Sequence, residues 1–322
     1  MTSFAGDSGV HVLLAMLGHK RPAGSKTERR FIRSFIAPLG AKPDAFGNHV
    51  LRIGDAPVMW SCHTDSVHKE GGKQLVEVSH GIASLARGST SNCLGADDAA
   101  GVWLMREMIL ARRPGLYVFH RAEECGGQGS DYIARRNPAL LDGIRYVVAF
   151  DRRGYGDVIT HQAMGRCASD AFASSLADQL GKPYAPCDTG VFTDTANYVD
   201  LIGECSNISV GYDCEHSKGE TLNVSHLVEL REALLTLDAS RLEYERAPGD
   251  VDIEDDWDGR AYGSTGSHWE RTTEPRRLTG LCRDYPDLVA EVLSAYGITA
   301  EEIEDEIFAQ TGMVRRPFKG GY

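Results

Sequence analysis

The stretch Leu94-Gly95-Ala96-Asp97-Asp98-Ala99-Ala100-Gly101 sets two adjacent carboxylates between a glycine turn and an apolar helix that begins near Ala99. The helical pattern continues through Val102, Leu104, Met105, Met108 and Ile109, which turns one face toward a core. Taken alone, Asp97-Asp98 reads as a helix start, where carboxylates cap free amides and meet the positive end of the helix dipole. The rest of the chain gives the pair a second meaning.

Working outward, apolar runs of strand length alternate with helical patterns. Before the stretch come an amphipathic helix over 7–18, a second helix opened by the capping box Ser25…Glu28, and a strand near His49–Ile53. Next is the apolar run Pro57–Cys62, which ends at His63-Thr64-Asp65, and a hairpin formed by Gln74–Val78 and Ile82–Ala86. After the stretch, strand Leu116–His120 ends at Glu123-Glu124. A helix spans 129–141, strand Tyr146–Phe150 ends at Asp151, and a helix spans 169–180. Strand Asn207–Tyr212 leads to His216, and a long helix covers 227–242. This alternation predicts an α/β fold, a mostly parallel mixed sheet with helices on both faces. Open α/β sheets gather ligands beyond the carboxyl ends of their strands. His63, Glu123-Glu124, Asp151 and His216 are therefore expected to meet Asp97 in one crevice.

Composition narrows the class. A chain of 322 residues with 42% hydrophobic content holds a substantial core. The net charge of −12, without basic runs, excludes nucleic acid and anionic membrane surfaces as partners. No apolar run is long enough to span a bilayer and no signal peptide is read, so a cytoplasmic location is expected. The eight cysteines contain no C-x-x-C pair and read as free thiols in a reducing compartment. From about Ala247 the character changes. Residues 246–322 hold 9 basic and 16 acidic side chains, so −7 of the charge lies there. The expected organisation is a catalytic domain over 1–245, an acidic and Gly/Ser-rich linker over 246–273, and a small helical C-terminal appendage over 274–322.

Each polar motif is weak by itself. A lone H-x-D is usually a surface or capping element, although Asp65 placed beside His63 suits a carboxylate that fixes the second nitrogen of a metal-bound imidazole. A lone Glu-Glu pair is usually a solvated loop. Here one glutamate can bind metal while the other moves protons, as hydrolysis at a metal-bound water requires. Asp151 alone is a turn residue, and His216 a loop histidine. His68 and Cys125 read as a loop histidine and a packed small residue. Together, two imidazoles and three carboxylates with one spare glutamate suit two Zn2+ ions per chain, with Co2+ or Mn2+ as substitutes.

The order H-x-D, G-A-D-D-x-x-G, E-E, D, H resembles the co-catalytic zinc exopeptidase clan, over roughly residues 1–245. That clan contains bacterial leucyl aminopeptidase-type enzymes and related carboxypeptidase and deacylase families. Cys62-His63-Thr64-Asp65, Leu94–Gly101 and Glu123-Glu124 carry the resemblance most specifically. It implies His63 and Asp151 on one zinc, Glu124 and His216 on the other, and Asp97 bridging. It also implies that Asp65 orients His63 and that Glu123 is the general base. Thr189–Tyr198, Asn207–Tyr212 and Glu215-His216-Ser217 look more like the aminopeptidase branch, with Asp194, Tyr198 and Tyr212 lining the substrate pocket. Only 65 positions separate Asp151 from His216, too few for a dimerising lid domain, so a monomer or small homo-oligomer is expected. His120-Arg121-Ala122 and Arg152-Arg153 depart from the pattern; the arginines either bind a substrate carboxylate or lie on the surface.

The reading is a two-zinc metallopeptidase, an aminopeptidase acting on peptides. Its alternatives are a deacylase of N-blocked amino acids on the same site, a one-zinc glutaminyl-cyclase-like acyltransferase, and a non-catalytic binding protein. Asp97→Ala is expected to lose both metals and Asp98→Ala to lose less, measured as metal content per chain. Equal losses would mean that the two aspartates have been assigned wrongly.

Overall fold

The structure is a computed structural model that describes residues 7–162, 165–250 and 289. The linker beyond 250 and the appendage helices expected near 285–296 and 299–310 lie outside the described residues, Val289 apart.

The strands used below are β1 Lys42–Pro43, β2 His49–Ile53, β3 Val58–His63, β4 Val76–Ser79, β5 Ile82–Leu85, β6 Gly115–His120, β7 Tyr146–Arg152, β8 Asp157–Ile159, β9 Ala185–Cys187, β10 Glu204–Ser209, β11 Tyr212–Asp213 and β12 Thr221–Asn223. The helices are α1 Ser8–Leu17, α2 Lys26–Phe31, α3 Ala96–Leu110, α4 Gln128–Arg136, α5 Asp170–Leu180 and α6 Val224–Thr236. Eight strands form the main sheet in the order β9-β8-β10-β7-β3-β6-β2-β1. The central four, β10, β7, β3 and β6, run parallel, and antiparallel strands flank them. This is the mixed, centrally parallel sheet that the strand–helix alternation predicts.

Alternation along β3 shows how the sheet is covered. Val58, Trp60 and Cys62 join the core cluster that holds residues of α1, α3, α5 and α6, whereas Met59 joins the cluster that includes Ile133 of α4 and Tyr198. Successive strand side chains point to opposite faces, so each strand serves two apolar layers. The parallel register pairs His63 with His120 at the ends of β3 and β6. The candidate residues thus start from one edge.

A second sheet, in the order β11-β12-β5-β4, was only half expected. The β4–β5 hairpin is present with Val78 opposite Ala83. Its partner is the β11–β12 hairpin, whose loop carries His216. That pairing joins segments more than 130 positions apart, beyond the reach of local pattern.

Several boundaries moved for identifiable reasons. Pro138 ends α4 early, and residues 138–141 form a 3-10 turn. The strand expected at Asn207–Tyr212 begins instead at Glu204, whose buried carboxylate accepts from the amides of Ser169, Glu245 and Arg246. Glutamate deters a strand reading, and these partners come from distant sequence. The same contacts keep residues 246–250 on the packed unit, where Arg246 also donates to the Gly203 carbonyl, so the segment expected to begin the linker at 246 is still part of it. The expected capping box is half made. Ser25 accepts from the Glu28 amide, but the Glu28 carboxylate turns to Gly24, Thr64 and Arg121.

In α3, Asp97 and Asp98 have non-helical dihedrals and the peptide between them is cis. Asp98 Oδ1 accepts from the Gly101 amide at 2.8 Å, so regular helix begins near Ala99. Gly101 has no room for a side chain. A Cβ there would lie 2.5 Å from Asp98 Oδ1 and 2.6 Å from the Phe150 carbonyl oxygen of β7. Helix propensity favours alanine over glycine by about 1 kcal/mol, while overpacking costs about 1–3 kcal/mol. Gly101→Ala is expected to lower unfolding free energy on balance, read from the denaturant midpoint; an unchanged or raised midpoint would show that helix and sheet can separate without loss.

Candidate active site

Asp97 stands between two imidazoles. Its Oδ1 is 2.9 Å from His63 Nε2, and its Oδ2 is 3.0 Å from His216 Nε2. Asp151 Oδ1 approaches His63 Nε2 at 3.5 Å, and Glu124 Oε2 approaches His216 Nε2 at 3.2 Å. Ligand atoms of His63, Asp97 and Asp151 lie within 4.8 Å of one another, as do those of Asp97, Glu124 and His216. All five expected ligands therefore converge in two overlapping triads that share Asp97. They come from the end of β3, the start of α3, the loop after β6, the body of β7 and the β11–β12 loop.

The donor set fits divalent cations. Imidazole and carboxylate are ordinary zinc ligands, and the buried Glu124 Oε1 has no hydrogen-bond partner among the described residues. Buried carboxylates without compensation are costly, so such an oxygen calls for a cation or a proton.

Neighbouring carboxylates hold the loops. Asp98 Oδ2 accepts from the His63 amide at 3.0 Å, so the second aspartate of the pair braces the residue that the first one meets. Asp65 accepts from the amides of Glu123 and Glu124 at 3.2 and 3.3 Å. Its Oδ1 lies 3.6 Å from His63 Nδ1, longer than a hydrogen bond. Glu123 reaches 4.0 Å from His63 Nε2. Asp151 is held by the hydroxyls of Thr193 at 2.6 Å and Tyr212 at 3.0 Å.

The three substrate-pocket expectations need correction, since Tyr212, too, is buried and its hydroxyl is engaged by Asp151. Tyr198 is wholly buried and its hydroxyl bonds His120 Nε2 at 2.7 Å; Asp194, also buried, accepts from Ser130 at 2.6 Å and lies 3.2 Å from His120 Nδ1. Both belong to a polar layer around His120 rather than to an open pocket wall. Burial pushes His120 down to about 3 and Asp194 up to about 7, each toward its neutral form. Arg152 is buried against Asp157 and Thr189, while Arg153 is exposed beside Glu215. His68 is buried 2.7 Å from Ser66 and takes no part in either triad.

Arg121 neither faces a substrate carboxylate nor lies free on the surface but supports the site, as do two residues not singled out for it, Arg21 and Glu220. Arg121 makes a two-point contact with buried Glu28, which also accepts from Thr64 beside His63. Buried Arg21 donates to the carbonyls of Thr64 and Gly95. Glu220 accepts from the amides of Leu94, Gly95 and Asp97. The only local signal is polarity beside a motif, since every partner is distant in sequence.

A model of Peptidase family M28 matches residues 48–200, a span that contains His63, Asp97, Glu123, Glu124 and Asp151 but not His216. That match supports the reading of the chain as a metallopeptidase and is consistent with its resemblance to the co-catalytic zinc exopeptidase clan. Solved structures share the fold of this peptidase. The aminopeptidase PepT of Bacillus cereus is 13% identical with a TM-score of 0.58, over 72% of this chain and 98% of that one. A tripeptidase of Staphylococcus aureus is 15% identical with a TM-score of 0.59, over 70% and 96%. The TET1 peptidase of Pyrococcus horikoshii, described as assembling into a tetrahedron or a large octahedral shell, is 16% identical with a TM-score of 0.53, over 73% and 100%. The expected monomer or small oligomer finds no support in that comparison. No curated protein matches the peptidase in sequence. Among its described residues, no helix is long and apolar enough to cross a membrane.

Charge in the peptidase site is strongly coupled. Burial opposes protonation of His63, yet Asp151, Asp65 and Asp97 hold its pKa well above the usual imidazole range. Hydrogen bonds to Asp97 and Glu124 raise His216 from 6.5 to about 11. Burial raises Glu123, Glu124 and Asp151. A histidine whose folded pKa exceeds its unfolded value contributes stability that is complete below about 6.5 and lost as pH rises through the folded value. The metal-stripped peptidase is therefore expected to lose thermal stability as pH rises above about 7, an effect moderated because His216 is half exposed. Melting in EDTA across alkaline pH tests this; a His216→Gln variant with an equally steep loss would exclude His216 as its source.

Proposed function

We propose that this metallopeptidase is an aminopeptidase holding two divalent cations, zinc by preference, with a catalytic domain built from the N-terminal residues through 245 and its continuation to 250. The observation that carries the reading is Asp97, one carboxylate with each oxygen about 3 Å from a different imidazole. His63, Asp97 and Asp151 would hold one ion, and Asp97, Glu124 and His216 the other. Bound there, the cations would supply an acidified water and polarisation of the scissile carbonyl.

The chain's own residues supply the rest. Glu123 is the proton carrier: its carboxylate lies beside His63, and burial keeps its proton affinity above that of a free glutamate. It takes a proton from the attacking water and delivers it to the leaving amine. Asp65 holds the Glu123-Glu124 backbone in place beside His63. Tyr212 and Thr193 orient Asp151. Val191 and Phe192, exposed directly before Thr193, offer apolar contact to a substrate side chain. The seven described cysteines are free, which suits a reducing compartment such as the cytoplasm.

Convergence of both triads favours two ions over the one-ion acyltransferase, and the presence of Glu123 beside them favours catalysis over binding alone. The test is bound metal per chain with turnover of amino-acid anilides set against N-acyl amino acids. Two ions, anilide turnover, and a loss of about 10^2–10^4-fold in Glu123→Gln with metal retained are expected. Absence of bound metal after zinc addition would sink the proposal, and turnover of the N-acyl substrates alone would redirect it to deacylation.

A further inference from the structure

From the geometry we infer that Glu220 is a positioning residue, which locks the Asp97 stretch to the His216 loop and thereby sets the affinity of the metal position formed by Asp97, Glu124 and His216. This rests on the two-ion reading above.

Glu220 is buried, and its carboxylate gathers three amides of the fold-defining stretch. Oε2 accepts from Leu94 at 2.8 Å and Gly95 at 2.9 Å, and Oε1 accepts from Asp97 at 3.1 Å. Gly95 makes the convergence geometrically open. Its φ of +72° is costly for other residues, and a Cβ there would lie 2.7 Å from His68 Cε1. On the carbonyl side of the same residue, Arg21 Nη2 donates to Gly95 O at 3.0 Å while Nε donates to Thr64 O at 3.0 Å. The stretch is thus held by an anion at its amides and a cation at its carbonyl.

The two metal positions depend on this clamp unequally. His63 is braced through its amide by Asp98, and Asp151 by Asn207, Thr193 and Tyr212. His216 has a half-exposed side chain on a hairpin loop. Within that loop, Ser217 Oγ bonds Cys214 O and the Glu220 amide bonds Ser217 O, contacts that shape it without tying it to Asp97. The Glu220 carboxylate makes the tie. A glutamine of the same size has one acceptor oxygen and turns an amide donor toward backbone donors, so it cannot reproduce the three bonds.

Zn2+ titration by calorimetry compares the wild-type chain with Glu220→Gln and Glu220→Asp, with circular dichroism reporting the fold. Supporting residues of metal ligands typically contribute 10–100-fold in affinity. In Glu220→Gln the second ion should weaken by about that factor and the first far less; Glu220→Asp, which keeps the charge on a shorter reach, should fall between. Hydrogen exchange at the amides of Leu94, Gly95 and Asp97 gives a metal-independent readout, slow in the wild type and fast in Glu220→Gln. Unchanged affinities, or two ions weakened equally, would overturn the inference. A wild-type chain that binds fewer than two ions would sink the two-ion reading, and exchange alone would then decide the clamp: equal protection of the three amides in wild type and variant would overturn it.

Discussion

One carboxylate shared by two imidazoles is the constraint on which the rest of this molecule depends. Asp97 can meet His63 and His216 together only if the start of α3, the end of β3 and the β11–β12 loop arrive at one point. Asp65, Glu123, Glu124 and Asp151 gather around the same point, and like charges at such separations repel strongly in a low-dielectric site. Protons on the imidazoles relieve the crowding in the metal-free chain, which is why both histidines are held above their ordinary pKa. Cations would relieve it better, and that exchange links metal uptake to proton release.

The loops that deliver these groups are held by a further set of carboxylates bonded to backbone amides. Asp98 holds His63, Asp65 holds Glu123 and Glu124, and Glu220 holds Asp97. Glu28 joins Thr64 to Arg121, so the segments bearing His63 and the glutamate pair share one ion pair whose carboxylate is buried. A charge-assisted bond to an amide is directional and stronger than a neutral one. Loops held this way can present acidic ligands without lining the site with more side chains. The adjacent pair Asp97-Asp98 divides the labour: one residue faces the imidazoles and the other fixes the backbone.

Much of this was legible along the chain. β2 was expected at its observed bounds, and β3 and β6 nearly so, because apolar runs of strand length bounded by turn residues leave little alternative. The five expected ligands were legible because each closes or adjoins such a run. Legibility failed where a polar residue is satisfied by distant partners. Glu204 begins a strand because amides from two remote segments solvate its carboxylate. Tyr198 and Asp194 were read as pocket residues from their proximity to a motif, yet they are buried around His120. Nothing local shows that their hydroxyl and carboxylate have partners there.

By itself, then, the sequence determined the alternation of strands and helices, the carboxyl-edge placement of the motifs and the identities of the converging side chains. These follow from hydrophobic periodicity and from the chemistry each residue type allows. Only the tertiary structure decided that the hairpin near residue 80 supports the His216 loop and that Glu220 and Arg21 hold Gly95 from opposite sides. Those outcomes depend on angles and separations of about 3 Å between segments more than 70 positions apart, and such distances are set by how the sheets and helices pack.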